Sequence, residues 1–182
     1  MTETIVIAEI VKGVVHPTTA ELITAAQALG SQPVVIVPCA DASVADGAAQ
    51  FSGAARVIAA KSDVFANYDA AGWASALDAV APAGIIITAA SPQSKDLAAR
   101  LAARRGISVV QDVVQIEGGN LTSPIYSGKA MQTVSLSGDA VVTVRANVFE
   151  ASGNDGSTDV SVIDTSGNVA TAVQEFVARV ST

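Results

Sequence analysis

Short apolar runs that alternate with helical segments constrain the fold of this chain most strongly. Five such runs lie in the first 110 residues, at 5–10, 34–37, 55–59, 84–88 and 108–110. Segments with helical spacing or helix-boundary residues separate them, at 17–30, 44–51, 70–80 and 91–105. Strands that alternate with helices are typical of a parallel sheet with right-handed crossovers. The pattern predicts an α/β fold: a three-layer αβα sandwich with a mostly parallel open sheet.

The composition agrees with this architecture. Half of the 182 residues are hydrophobic, and aromatic residues make up only 4%. Small and branched apolar side chains suit a parallel sheet that is covered by alanine-rich helices. A chain of this length is long enough for one sizeable α/β core with a small appendage.

The character of the sequence changes after Gln111. Four further strand-like runs follow, at 113–116, 121–126, 130–136 and 140–145. The turn sequences Gly-Gly-Asn at 118–120 and Ser-Gly-Asp at 137–139 favour hairpin connections between them. We therefore expect an antiparallel strand extension after residue 112, on one edge of the sheet.

The last part of the chain is less regular. Residues 151–158 are rich in glycine, serine and polar residues, which is typical of a linker. Residues 160–163 could add one strand, and residues 169–180 could form a weak terminal helix. The predicted organisation is an αβα domain over residues 1–150 and a linker-like tail over residues 151–182.

Charge and hydropathy argue against several classes of partner. The net charge of −7 disfavours binding to phosphate backbones and to anionic membrane surfaces. No apolar stretch approaches the ~18 residues of a membrane span. The amino terminus lacks the basic start of a signal peptide, and the single cysteine, Cys39, excludes an internal disulfide. We expect no nucleic-acid binding, no membrane insertion and a reducing, cytoplasmic location.

Residues suited to catalysis or metal binding are scarce. His16 and Cys39 are the only histidine and cysteine, so no Cys/His metal cluster is expected. Cys39 follows an apolar run and is predicted to be a small core residue, and His16 a surface or capping residue. The connection at 9–16 has no G-x-G-x-x-G fingerprint, and Gly128-Lys129 does not belong to a P-loop. An enzyme with acid–base or nucleophilic chemistry is therefore the least favoured hypothesis, and no catalytic residue is assigned.

One candidate site lies where the most apolar strand leads into a helix. The carboxyl ends of strands in open α/β sheets bind ligands, and helix amino termini attract anions. Ser91, Ser94 and Lys95 are therefore candidates for holding a phosphate or a carboxylate. The alternative is an ordinary helix that is capped by Ser91 and carries a solvated Lys95–Asp96 pair.

Arginines provide a second group of candidates. Arg100, Arg104 and Arg105 form the main basic cluster, which favours a docking or carboxylate-pairing surface or a merely solvated helix face. Arg145 ends an apolar strand, where a charge usually needs a partner. The sequence predicts that Arg145 pairs with Asp96 or Asp112, or reaches across a domain interface.

Three ordered motifs resemble the alpha subunit of the electron-transfer flavoprotein family. They are SKDLAARLAAR at 94–104 with QDV at 111–113, SPIYSGKA at 123–130, and TVR at 143–145 with Phe149 and Glu150. Their order and spacing agree with the family from residue 3 to about residue 150. Ser94, Ala99 and Lys129 depart from the glycine, proline and asparagine that are usual in the family.

The resemblance implies a heterodimer with a beta subunit. It also implies FAD as the redox cofactor of the parent complex, and electron transfer from flavin dehydrogenases to a quinone reductase or a similar acceptor. In this family the flavin is held mainly by a second domain of the alpha subunit, and no segment of this sequence resembles that domain. We therefore expect a fragment that ends at the domain boundary rather than a natural stand-alone form.

The predicted role is a scaffold and subunit-docking domain, which is an electron-carrier component rather than an enzyme. Such a chain is not expected to bind FAD alone. The alternative is a small adenine-nucleotide-binding α/β protein, which rests only on analogy between folds.

Overall fold

The computed structural model describes residues 2–181. In chain order its strands and helices are β1 (Thr4–Ile7), β2 (Ile10–Val11), β3 (Val14–Val15), α1 (Thr18–Leu29), β4 (Val34–Cys39), α2 (Asp46–Ala49), β5 (Arg56–Lys61), α3 (Ala70–Val80), β6 (Ile85–Ala89), α4 (Pro92–Arg105), β7 (Ser108–Val113), β8 (Gln115–Glu117), β9 (Asn120–Ile125), β10 (Ala130–Ser135), β11 (Ala140–Val144) and β12 (Val160–Asp164). Short 3₁₀ turns occur at Ala42–Ala45, Asp63–Ala66 and Ser166–Asn168.

A seven-stranded sheet forms the centre of the fold, in the order β12-β5-β4-β1-β6-β11-β7. All neighbouring strands in it are parallel. The central strands β1, β6 and β11 are buried along their whole length, as expected for strands covered on both faces. Helix α1 packs on one face, and helices α3 and α4 pack on the other. The predicted α/β fold and its αβα layers are confirmed.

Strand β11 differs from the expectation of an antiparallel edge. It lies between β6 and β7 and is parallel to both. The physical reason is its sequence, AVVTV, which is buried at every position and has no polar face to turn toward solvent. A continuous apolar run favours an interior parallel strand, and this preference outweighs the hairpin-like turn that precedes it.

The antiparallel strands predicted after residue 112 are present as a separate three-stranded sheet, β10-β9-β8. Gly118 and Gly119 join β8 to β9, and both have positive φ, as the predicted hairpin requires. Buried Leu121 packs this small sheet into the core on the α1 side of the main sheet.

The segment from residue 151 onward contributes to the same sheet. The possible strand predicted at 160–163 is present as β12, which pairs in parallel with β5. Before it, the carbonyl of Gly153 accepts a hydrogen bond from the Ser52 amide at 2.7 Å, and the Ser152 amide donates to the carbonyl of Ala20 at 3.1 Å. The domain division at residue 150 stays a prediction.

The predicted terminal helix at 169–180 is wrong. Residues 169–181 contain no helix, and several of their amides donate to side chains of helix α3 and its cap. The apolar residues that suggested a helix are left uncovered: Val177 is 87% exposed and Val180 is 85% exposed. A short helix draws most of its stability from packing of an apolar face, and this segment lacks that packing.

Candidate functional site

A cavity of about 540 Å³ lies at the carboxyl ends of β1, β6 and β11, the edge at which parallel α/β sheets bind ligands. Three of the candidate residues from the sequence, Ser91, Lys95 and Arg145, line this cavity. Its other polar lining residues include Glu9, His16, Thr18 and Asp112. The fold therefore brings candidates from distant parts of the sequence to one place.

The amino terminus of α4 is occupied by a carboxylate of the chain itself. The Ser91 hydroxyl caps the helix, because it accepts a hydrogen bond from the Ser94 amide at 3.2 Å. It also donates to Oε1 of Glu9 at 2.9 Å, and the buried Ser94 hydroxyl donates to Oε2 of Glu9. The position at which an external phosphate or carboxylate was expected is thus held by Glu9.

Local structure fixes Glu9 in this place. Its amide donates to Oγ1 of Thr19 at 3.2 Å, and its carbonyl accepts from the amide of His16 at 2.8 Å. The loop between them is the hairpin β2–β3, in which Lys12 and Gly13 both have positive φ, as a type I′ turn requires. The connection after β1 is therefore a tight hairpin and not a glycine-rich phosphate cradle.

The single histidine, predicted to be a surface or capping residue, lies just before the N-cap of α1, which is Pro17. Nδ1 of His16 accepts a hydrogen bond from the amide of Thr18 at 3.2 Å, at the start of α1. Cys39 is the predicted core thiol: it is buried, and burial raises its pKa to about 11. Within residues 2–181 no group of His, Cys, Asp and Glu side chains could hold a metal ion.

Arg145 pairs with Asp112, one of its two predicted partners. Its Nε donates to Oδ1 of Asp112 at 3.1 Å, and Nη2 donates to Oδ2. Asp112 has a φ of 59° beside a register shift of the β11–β7 ladder, and its amide donates to Oγ1 of Thr143 at 2.8 Å. This bulge directs the carboxylate toward Arg145. The hydrogen bond from Arg145 lowers the pKa of Asp112, against an opposing effect of burial.

Lys95 lies near this ion pair without joining it. Its charge contributes to the lowered pKa of Asp112, but across the described part of the chain its side chain makes no hydrogen bond or salt bridge. Asp96, the other predicted partner of Arg145, instead accepts a hydrogen bond from the Tyr68 hydroxyl at 2.7 Å and lies 3.7 Å from Nε of Arg100.

The basic cluster on α4 is mostly paired within the chain. Nε of Arg104 lies 2.8 Å from Oδ2 of Asp78, and Nε of Arg105 lies 2.6 Å from Oδ1 of the same carboxylate. Arg105 also donates to the carbonyl of Pro82 at 2.8 Å. Of the alternatives predicted for this cluster, the structure supports pairing with carboxylates. The carboxylate that pairs with Arg104 and Arg105 belongs to α3.

Glu9 is the site residue that the sequence reasoning missed. It lies 82 residues before Ser91, so no local motif contains both. A signal was nevertheless present, because Glu9 lies near the carboxyl end of the first predicted strand, at 5–10, and Ser91 follows the fourth. The carboxyl ends of parallel strands meet at one edge of a sheet, and the structure shows β1 and β6 to be direct neighbours.

Comparison with known proteins bears directly on these observations. Residues 4–168 match the family model described as the electron transfer flavoprotein domain. The chain belongs to the electron transfer flavoprotein family. It is 38% identical over 159 residues to electron transfer flavoprotein subunit alpha of Mycobacterium tuberculosis (strain CDC 1551 / Oshkosh), which covers 83% of this chain and 49% of that protein.

Two further relatives carry the same designation. Subunit alpha of Mycobacterium leprae (strain TN) is 35% identical over 159 residues, which is 83% of this chain and 49% of that protein. The mitochondrial subunit alpha of Arabidopsis thaliana is 30% identical over 158 residues, which is 80% of this chain and 44% of that protein. The resemblance found in the sequence motifs is confirmed. The chain spans about half the length of the curated relatives it matches.

The electron transfer flavoprotein motifs occupy defined places in the fold. Lys95, Asp112 and Arg145, from the first and third motifs, converge on the cavity. The second motif forms the turn between β9 and β10, and at this turn Tyr126 is 77% exposed. One departure from the family pattern has a structural consequence, because Ser94 supplies a hydroxyl to Glu9 that a glycine at this position would lack.

Proposed function

We propose that this chain is the scaffold and subunit-docking part of an electron-transfer flavoprotein alpha subunit. FAD is then the cofactor of the parent complex and is not bound by this chain alone. The chain is an electron-carrier component rather than an enzyme. Its complex passes electrons from flavin dehydrogenases to a quinone reductase or a similar acceptor, and its partner is the beta subunit.

The observation that carries this proposal is the Glu9 carboxylate on the hydroxyls of Ser91 and Ser94. Nucleotides and flavin dinucleotides usually place a phosphate at a helix amino terminus of this kind. A carboxylate in that position repels a phosphate, and it already accepts hydrogen bonds from the two serine hydroxyls. The cavity is therefore poorly suited to a nucleotide, which supports a scaffold role over an adenine-nucleotide-binding role.

Exposed apolar side chains support a docking role. Val14 on the β2–β3 hairpin is 62% exposed, and Met131 on β10 is 55% exposed, in addition to Tyr126. Aromatic residues and methionine are enriched at protein interfaces. A cytoplasmic location belongs to the same proposal, since the buried thiol of Cys39 needs no oxidising compartment. None of the helices within residues 2–181 is long and apolar enough to cross a membrane.

The proposal is tested with the purified chain of residues 1–182. We expect no flavin absorbance after purification in the presence of added FAD, and a stable complex with the beta subunit of the same organism in size-exclusion chromatography. Stoichiometric FAD retained by this chain alone would overturn the cofactor part of the proposal. Failure to bind the beta subunit would overturn the docking part.

Calorimetric titration with AMP and ATP decides the adenine-nucleotide alternative. We expect no binding in the micromolar range for the natural chain. A Glu9→Ala variant is the matched control, because it removes the competing carboxylate and keeps Ser91, Ser94 and Lys95. Micromolar affinity of the natural chain would favour the alternative.

A further inference from the structure

A second feature of the structure is independent of the proposed function. Residues 169–175 form neither helix nor strand and lie against the amino-terminal part of α3. The amide of Ala170 donates to the Ser75 hydroxyl at 2.8 Å. The amides of Val173 and Gln174 both donate to Oδ1 of Asp69, at 2.9 and 3.1 Å. Main-chain groups of this segment are thus recognised by side chains of α3 and its cap.

The segment also accepts a hydrogen bond from α3. Asp69 is the N-cap of α3, and its Oδ2 accepts a hydrogen bond from the amide of Gly72 at 2.8 Å. Oε1 of Gln174 accepts a hydrogen bond from the amide of Ala70 at 2.8 Å. The first amides of a helix have no partner within the helix. Here Asp69 accepts from the amide of Gly72, and Gln174 of the segment accepts from the amide of Ala70. Attachment of the segment and order in the first turn of α3 therefore depend on each other.

Two of the three amides that donate to the Asp69 carboxylate come from this segment. With the segment in place Asp69 is only 7% exposed, so these hydrogen bonds are largely shielded from water. The segment itself packs few apolar side chains, since Val173 is 60% exposed. Its attachment therefore depends on a small number of hydrogen bonds centred on one carboxylate, which is the arrangement of a releasable strap.

A cavity of about 690 Å³ lies beside the seated segment. Residues 174–179 form one wall, and the turn of the β2–β3 hairpin with the aromatic side chains Phe65, Tyr68 and Trp73 forms the other. Trp73 packs edge-on against Phe65 and Tyr68, at centroid distances of 5.1 and 5.2 Å. Its indole donates to the carbonyls of Val64 and Asn67 at 3.0 Å each.

We propose that residues 169–175 form a strap, held by the reciprocal Asp69–Gln174 contact, that closes one side of this aromatic cavity. Release of the strap withdraws Gln174 and Glu175 from one wall of the cavity and breaks the two amide hydrogen bonds to Oδ1 of Asp69. It also frees the first turn of α3, which carries Trp73. The strap therefore couples access to the cavity to the order of this helix end.

Hydrogen exchange of the full chain measures the strap directly. In Gln174→Ala the helix loses its long-range cap, and in Ser75→Ala the Ala170 amide loses its acceptor. We expect each variant to raise the exchange rate of the amides of Ala170, Val173 and Gln174 by about tenfold, the change that follows from loss of one well-formed hydrogen bond. Asn168→Ala is the matched control, because Asn168 is exposed, lies just before the strap and does not line the cavity.

Fluorescence quenching gives an independent readout, because Trp73 is the only tryptophan. We expect acrylamide to quench Trp73 more strongly in Gln174→Ala and Ser75→Ala than in the natural chain and in Asn168→Ala. Far-UV circular dichroism confirms that each variant is folded. Asp69→Asn, which keeps an acceptor oxygen but loses the charge, should give an intermediate exchange rate.

Two results would overturn the proposal. One is rapid, unprotected exchange of the amides of Val173 and Gln174 in the natural chain, which would mean that the strap is not seated. The other is protection in Gln174→Ala and Ser75→Ala equal to that in the natural chain, which would mean that these contacts do not hold it.

Discussion

Two arginine–aspartate pairs, one between helices α3 and α4 and one at the carboxyl ends of β7 and β11, differ in how completely they are enclosed. Arg105, at the end of α4, is 16% exposed in its side chain and pairs with Asp78, which is 24% exposed. Arg145, just after β11, is 48% exposed and pairs with Asp112, which is 23% exposed. The two carboxylates are therefore about equally enclosed, and the difference lies in the arginines, because Arg105 is much less exposed than Arg145.

The surroundings of the two guanidinium groups explain the difference. Arg105 also donates to the main-chain carbonyls of Asp78, Ala81 and Pro82, so it closes the carboxyl-terminal end of α3. Within the residues that the structure describes, the guanidinium of Arg145 donates only to Asp112, and Arg145 lines the cavity at the carboxyl ends of the strands. We infer that the first pair stabilises the fold, whereas the second leaves hydrogen-bonding capacity for a partner.

Asp78→Ala should have the largest effect on stability. It leaves the half-buried guanidinium of Arg105 without its carboxylate, which costs about 1–3 kcal/mol in the free energy of unfolding. Urea denaturation followed by circular dichroism measures this change. Arg104→Ala is the matched control, because Arg104 bonds to the same carboxylate but is 50% exposed, and its loss should cost clearly less. Equal losses in the two variants would contradict a special role for the enclosed Arg105.

The same pair predicts a pH dependence. Burial acts to raise the pKa of Asp78, but the hydrogen bonds from Arg105 and Arg104 outweigh it, and the pKa is lowered from 3.8. A carboxylate whose pKa is lower in the folded state contributes stability above its unfolded pKa and loses it as the pH falls through the folded pKa. The stability difference between the natural chain and Asp78→Asn should therefore be constant from pH 7 to about pH 5 and shrink below about pH 4. A difference that grows on acidification would contradict this assignment.

The elements that could be predicted from the sequence are those whose signals are local. Strand β6 is a continuous run of apolar residues, and α4 begins with the Ser91 cap and ends at Gly106 with a φ of 64°. The αβα layers follow from the alternation of such elements. Arg145 could be assigned a carboxylate partner because a charge at the end of a buried strand requires one.

The features that could not be predicted depend on long-range pairing. The position of β11 between β6 and β7 is decided by the partners that its apolar run finds, and the turn before it does not encode them. The contacts of Glu9 with Ser91 and Ser94 span 82 and 85 residues. Residues 169–180 have helical spacing of apolar residues, but acceptors on Asp69 and Ser75 compete for their amides.

Glu9→Ala tests whether the carboxyl ends of the strands also contain a stabilising element. The change leaves the buried hydroxyl of Ser94 without its acceptor, and we expect a loss of about 1–2 kcal/mol in the free energy of unfolding. Glu150→Ala, at an exposed position outside the helices and strands, should change stability little. If the two variants were equally stable, the Glu9 carboxylate would contribute nothing to the amino terminus of α4.

Asp112→Asn should have the smallest effect and tests the comparison most directly. Asparagine is tolerated at positive φ, so the substitution removes the charge without straining the backbone at 59°. Because the ion pair with Arg145 is half exposed to water, we expect Asp112→Asn to cost less than about 1 kcal/mol in urea denaturation. A cost as large as that of Asp78→Ala would mean that the Arg145–Asp112 pair stabilises the fold as much as the Arg105–Asp78 pair does. In that case Arg145 would have no capacity left for a partner, and the docking role would have to depend on the exposed apolar residues alone.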